Sequence, residues 1–183
     1  QDLIQHYETR SETQPGKAMI VTMSREISVR LYDQIIALKP EWHADDHMKG
    51  MIKVVMTASA SDKVELQPHH TNKKQKKDLE KRFKNPSDPL KIVIVRDMWL
   101  TGFDAPCLAT MYVDKPMQGA NLAQAIARVN RVFKDKPGGL VVDYIGIAPQ
   151  LKEALATYSG AKGKGRPTID SSEALRILLE KLQ

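Results

Sequence analysis

Four consecutive β-branched residues, Ile92-Val93-Ile94-Val95, constrain this chain more than any other stretch. A strand that is apolar at every position must be covered on both faces, and both faces are covered almost only where parallel strands alternate with crossover helices. A polar loop follows, Leu100-Thr101-Gly102-Phe103-Asp104-Ala105-Pro106, and then a second apolar run, Leu108 to Asp114. A short loop held between two buried strands is where α/β proteins place ligand chemistry.

The segment after this pair reads as a helix, Asn121 to Arg131. Leu122, Ile126, Val129 and Phe133 form one stripe, and Gln124, Arg128 and Arg131 form another, set roughly 200° away at 3.6 residues per turn. The two arginines therefore point away from the domain's own core. Neighbouring cations repel on a free helix, so their pairing suggests an anion presented from outside. A solvated surface, with Gln124 completing a capping box begun by Asn121, remains the competing reading of these residues.

The same logic extends along the chain. Lys17 to Met23 reads as the first strand, and Ser24 caps a helix whose buried face is Ile27, Leu31, Ile35 and Leu38. Met51 to Thr57 is the second strand. Asn72 to Lys84 is a helix resting on Leu79 and Phe83, with Lys73, Lys74, Lys76, Lys77, Lys81, Arg82 and Lys84 elsewhere on its surface. That basic face suits either a phosphate backbone or open solvent. Leu140 to Tyr144 is the last strand, followed by a helix over Pro149 to Tyr158. Residues 1–15 read as a linker with some helix around Leu3 to Tyr7, ending at the Gln14-Pro15-Gly16 turn. Residues 159–183 read as a flexible basic linker and the start of a helical domain, built on Leu175, Ile177, Leu178 and Leu182. The expected fold class is α/β: a mostly parallel sheet with helices on both faces, plus a C-terminal helical tail.

Several chemistries are disfavoured. His43 and His47 stand four apart and His69-His70 are adjacent, but both pairs lie in charged loops without a nearby cysteine, so no metal is expected. The single cysteine, Cys107, allows no internal disulfide and reads as a small core residue. No apolar run is long enough to span a bilayer, which predicts a cytoplasmic chain with no membrane partner. A net charge of +6 is compatible with nucleic acid without proving it. A chain opening on Gln1 reads as a piece of a longer protein.

Thr101-Gly102-Phe103-Asp104-Ala105-Pro106, followed by Gln124-Ala125-Ile126-Ala127-Arg128-Val129-Asn130-Arg131, resembles motifs V and VI of superfamily 2 helicases. The string from Leu122 to Phe133 and the later Val141-Val142-Asp143-Tyr144-Ile145-Gly146-Ile147 narrow the resemblance to the motor (R) subunit of type I restriction enzymes. That resemblance implies a RecA-like fold, the second of two motor lobes, over residues 16–158. It implies a part in an ATP-dependent translocase on double-stranded DNA, within an endonuclease that also has DNA-recognition and methylation subunits. Arg131 would be the arginine finger, with Arg128 beside it on the γ-phosphate and Gln124 orienting the attacking water or the arginines. Gly102 and Asp104 would meet the nucleotide. Thr22, Ser24 and Arg25, in the position of motif IV, and Thr101 would meet DNA. ATP and Mg2+ would be held mainly by the first RecA-like lobe of the same parent chain, because no Gly-x-x-x-x-Gly-Lys-Ser/Thr loop occurs here and this fragment alone is expected to be inactive. Ala127 stands where many helicases have glycine. Two alternatives stay open: a lobe of another superfamily 2 DNA or RNA helicase, and a non-catalytic nucleic-acid-binding domain.

Overall fold

The structure, a computed structural model, describes residues 1–130, 138–147, 149, 150 and 152. Five parallel strands form one sheet: β1 (Lys17–Thr22), β2 (Ile52–Val55), β3 (Ile92–Val95), β4 (Leu108–Asp114) and β5 (Leu140–Asp143), in the order β2-β3-β1-β4-β5. β1 is central, pairing Ile20 with Ile94 on one side and with Tyr112 on the other.

Strand periodicity divides the core in two. Met19, Val21, Val93, Val95, Met111 and Val113 face one side, where Leu79 and Phe83 of α3 (Lys73–Lys84) and Leu122, Ile126 and Val129 of α4 (Gly119–Val129) cover them. Ala18, Ile20, Ile92, Ile94 and Tyr112 face the other, beneath α1 (Asp2–Thr13) and α2 (Arg25–Leu38). Each β-branched run is thus covered twice, as its uninterrupted apolar composition requires.

Residues 1–15 are not a linker: α1 buries Ile4 and Tyr7 and is fastened to β4, with Tyr112 Oη 2.8 Å from His6 Nδ1 and Arg10 Nε donating to Thr110 Oγ1 at 3.1 Å. Polar contacts to a strand about a hundred residues away carry no local pattern. α2 is turned from its expected face. Ser28, Val29, Tyr32 and Ile35 are buried while Leu38 is 53% exposed. The cause is at its start, where Ser28 Oγ meets Thr22 Oγ1 at 2.6 Å and so draws a polar position inward. α4 begins at Gly119 with Gln118 as N-cap, so Asn121 and Gln124 form no capping box. The expected helix over Pro149–Tyr158 (apart from Pro149, Gln150 and Lys152), the segment from Ser159 on, Arg131 and Phe133 lie outside the described residues.

Candidate nucleotide and nucleic-acid site

The connection from β3 to β4 passes from one side of β1 to the other, and its turn is organised by aromatic stacking. Trp99 and Phe103 stack nearly parallel with centroids 4.4 Å apart, and Phe83 of α3 stacks on both, at 5.8 and 6.1 Å. Trp99 has φ 67, a left-handed conformation that costs a bulky residue about 1–3 kcal/mol. Offset aromatic pairs each contribute about 0.5–1.5 kcal/mol beyond their buried area, enough to hold it.

This packing sorts the loop. Leu100, Phe103 and Ala105 are buried, and Thr101, Gly102 and Asp104 are exposed between them. Gly102 has φ 68, and a Cβ there would meet nothing within 4 Å. Glycine is needed for its backbone conformation, and the space beside it is open.

α4 presents its outer face to this loop. Leu122 and Val129 are almost fully buried, Gln124 is exposed and Arg128 is half-buried, as the two-stripe reading expected. Arg128 Nε donates to the Leu100 carbonyl at 2.8 Å, fixing the guanidinium one residue from Thr101. Four predicted residues, Thr101, Gly102, Gln124 and Arg128, are therefore on adjoining elements, with Asp104 on the same exposed loop.

Thr22, Ser24 and Arg25, the residues expected to meet DNA, form a second group at the C-terminal end of β1, the end where open α/β sheets bind ligands. Ser24 caps α2, its Oγ accepting from Ile27 N at 3.1 Å. Thr22, expected at the nucleic-acid backbone, is fully buried, its hydroxyl shared among Ser28 Oγ, the Ser24 carbonyl and the Val95 carbonyl. It ties β1 to α2 and β3 and does not reach solvent. Arg25 is engaged bidentately with Asp62, both contacts at 2.7 Å, and donates to the Thr57 carbonyl at 2.8 Å. The same contact holds the Asp62 carboxyl below the ordinary carboxylate range. Sequence reasoning did not single out Arg96 and Lys115. Arg96 donates to the Met23 carbonyl at 3.2 Å, Lys115 donates to the Arg96 carbonyl at 3.2 Å, and Asp97 pairs with both cations. Charged residues placed directly after two strand runs were the available signal.

Away from both groups, a cleft of about 790 Å³ beside β2 is lined by Tyr32, His43, His47, Lys53, His69 and His70. His43 contacts Tyr32 Oη at 2.7 Å and His70 contacts Asp62 at 3.0 Å. Among the described residues no three His, Cys, Asp or Glu side chains are placed to hold a metal ion. No helix among them is long and apolar enough to cross a membrane.

Residues 2–146 match the family described as type I restriction enzyme subunit R domain 3. The chain is 56% identical over 185 residues to the type I restriction enzyme HindI endonuclease subunit of Haemophilus influenzae, covering all of this chain and 18% of that protein. It is 29% identical over 162 residues to the SauCOLORF180P endonuclease subunit of Staphylococcus aureus, covering 86% of this chain and 17% of that one. The chain thus spans less than a fifth of these curated relatives. Among solved structures, a fragment assigned as the HsdR subunit of a type I restriction enzyme from Vibrio vulnificus superposes with a TM-score of 0.54 at 17% identity, covering 80% of this chain and 26% of that one, a likeness of fold.

Proposed function

The chain belongs to the type I restriction enzyme subunit R domain 3 family, with a RecA-like α/β fold, and from that premise we propose that it is the second motor lobe of a double-stranded DNA translocase. The observation that carries the reading is the contact of Arg128 with the Leu100 carbonyl, which sets the outward face of α4 against the exposed loop of Thr101, Gly102 and Asp104.

A half-site of this kind fits an anionic nucleotide held by another lobe. Gly102 leaves room for close approach, and Asp104 offers a carboxylate to a hydroxyl-bearing group. The Leu100 carbonyl takes one N–H of Arg128 and so fixes the direction of a fork-shaped donor. Arg131 follows it by nearly one turn in sequence and is the better finger. A guanidinium placed where negative charge develops lowers the barrier, an effect of about 10³ to 10⁵ in rate in GTPases. ATP with Mg2+, held mainly by the first lobe of the parent chain, would supply the leaving phosphate. Gln124, exposed one turn before Arg128, would orient water or the arginines. On the DNA side, Ser24, Arg25 and Thr101 would face the duplex, with Thr22 acting behind them by fixing Ser24. This fragment alone would neither hydrolyse ATP nor cut DNA, and the intact enzyme would add recognition and methylation subunits.

The test is made in the intact subunit. Arg131→Ala should collapse DNA-stimulated ATPase while leaving DNA affinity nearly unchanged, and Arg128→Lys should be impaired despite keeping its charge. ATPase within twofold of the parent for Arg131→Ala rules out the finger role. Triplex displacement without strand separation would favour translocation over unwinding.

A further inference from the structure

α3 carries charges in an arrangement that its own folding does not explain. Leu79, Arg82 and Phe83, each buried, anchor its inner side, and Asn72 and Gln75 close a reciprocal capping box at its start. Five lysines, Lys73, Lys74, Lys77, Lys81 and Lys84, are all exposed and lie within an arc of about 100° on the roughly opposite side. Lys73, Lys77 and Lys81 follow one another at four-residue steps, so each repels the next. Lys73 and Lys74 also stand in a first turn that holds no acid, against the positive end of the helix dipole. The helix's two acids do not relieve this: Asp78 faces His47 at 3.5 Å and Glu80 takes Lys84 at 2.6 Å. Among the described residues, Lys73, Lys74, Lys77 and Lys81 have no ion-pair partner. Arg82, by contrast, is drawn inside and fully engaged.

The stripe also leads somewhere. Lys84, at its lower end, lies 5.1 Å above the ring of Phe103, and Phe83 beside it belongs to the stack that shapes the Thr101–Asp104 loop. The charged ridge is therefore continuous with the candidate site.

We propose that the outer face of α3 is a rail for the sugar-phosphate backbone of DNA, bound without reading its sequence. Unrelieved repulsion along a firmly anchored helix is relieved by a polyanion laid along it. Lys73 to Lys84 spans about 16 Å at the helical rise. Its stepped lysines, Lys73, Lys77 and Lys81, stand about 6 Å apart along it, close to the separation of successive phosphates along one strand, so each can meet a phosphate. No exposed large hydrophobic side chain belongs to α3, so bases are offered nothing to stack on. A motor that moves along any sequence needs contacts of this kind. The identity of the polyanion rests on the DNA-motor reading above; the rail itself rests on the helix.

The experiment uses the intact subunit carrying Lys73→Gln, Lys77→Gln and Lys81→Gln together, with duplex DNA of arbitrary sequence. The slope of log affinity against log salt should become shallower by about 2.7, at about 0.9 for each phosphate contact removed. Between 50 and 200 mM salt the parent should accordingly lose about 40-fold more affinity than the variant. ATPase at saturating DNA should stay within twofold, since none of the three lysines touches the α4 face. A slope within about half a unit of the parent's overturns the rail, whatever else changes. Loss of assembly with the other subunits at an unchanged slope would overturn it in favour of an acidic protein surface. If the parent's own ATPase does not respond to DNA, the motor reading fails, and the slope still decides the rail.

Discussion

Lys17 begins the central strand and is 1% exposed, an ammonium inside the sheet's lower edge. Its Nζ donates to the Arg82 carbonyl at 2.7 Å and lies 5.5 Å from the Phe83 ring. Desolvation is the main influence on it, pushing its pKa down from 10.5 to about 8. At about 1.4 kcal/mol per tenfold change in protonation, the buried charge costs roughly 3 kcal/mol below pH 8. Lys17→Met removes that cost and fills a similar space. It also removes one hydrogen bond, worth about 1 kcal/mol, from a carbonyl that keeps Asn85 N as a longer donor at 3.3 Å. The net expectation is a gain of about 2 kcal/mol at pH 7, or about 4–8 °C in Tm for a chain of this size. The direction with pH follows from proton counting. Between the folded and unfolded pKa values the unfolded chain holds a proton that the folded one has released, so the parent gains stability as pH rises from about 8 to 10.5. The advantage of Lys17→Met should therefore shrink through that window. Thermal denaturation at pH 7, 9 and 10.5 measures it, and a variant less stable than the parent at pH 7, or a gap that does not narrow, refutes the argument.

Arg82 should behave oppositely. It is 4% exposed and binds Asp88 and the carbonyls of His47, Lys49 and Gly50, so Arg82→Ala leaves a carboxylate and three carbonyls without their cation. A loss of about 3–5 kcal/mol is expected, read as a lower denaturant midpoint, and a loss under about 1 kcal/mol would mean the cluster is solvated. Asp62, whose carboxyl is held low chiefly by Arg25, contributes stability that is fully present above the unfolded carboxylate pKa of about 3.9 and is lost as pH falls through its lower folded value. Asp62→Asn should flatten the acid limb of the stability curve in that range, and an unchanged limb would assign it to other carboxylates.

The legible parts of this fold were those where local chemistry and tertiary packing agree. The run Leu108–Asp114 is observed as β4 over the same residues, and Ser24 and Asn72 cap the helices they precede. In α4 the apolar stripe was wide enough that no other orientation buries it. Where the reading failed, the deciding partner was distant. Arg82 looked like one more cation in a basic run because the loop carbonyls that bind it lie more than thirty residues upstream. α1 looked like a linker because only Ile4 and Tyr7 mark its inner side. Thr22, expected to meet DNA, is instead buried, its hydroxyl bonded to Ser28 and to the distant Val95 carbonyl. For the candidate site, the residue types were legible and the scaffold was not: nothing in the sequence announced that Trp99 takes a positive φ or that Phe83 completes its stack.

That stack bears on how a lobe of this kind would transmit force. Phe83 belongs to α3, Trp99 and Phe103 to the loop, and the Leu100 carbonyl between them holds Arg128 of α4. Packed rings resist continuous deformation, and the part-buried Arg128 contact joins α4 to the same loop, so the three elements are linked by direct contacts. Under the two proposals, the backbone rail and the nucleotide-facing arginine would sit on these linked elements. If both proposals hold, coupling between the rail and the arginine would come from closure of the whole lobe against its neighbour.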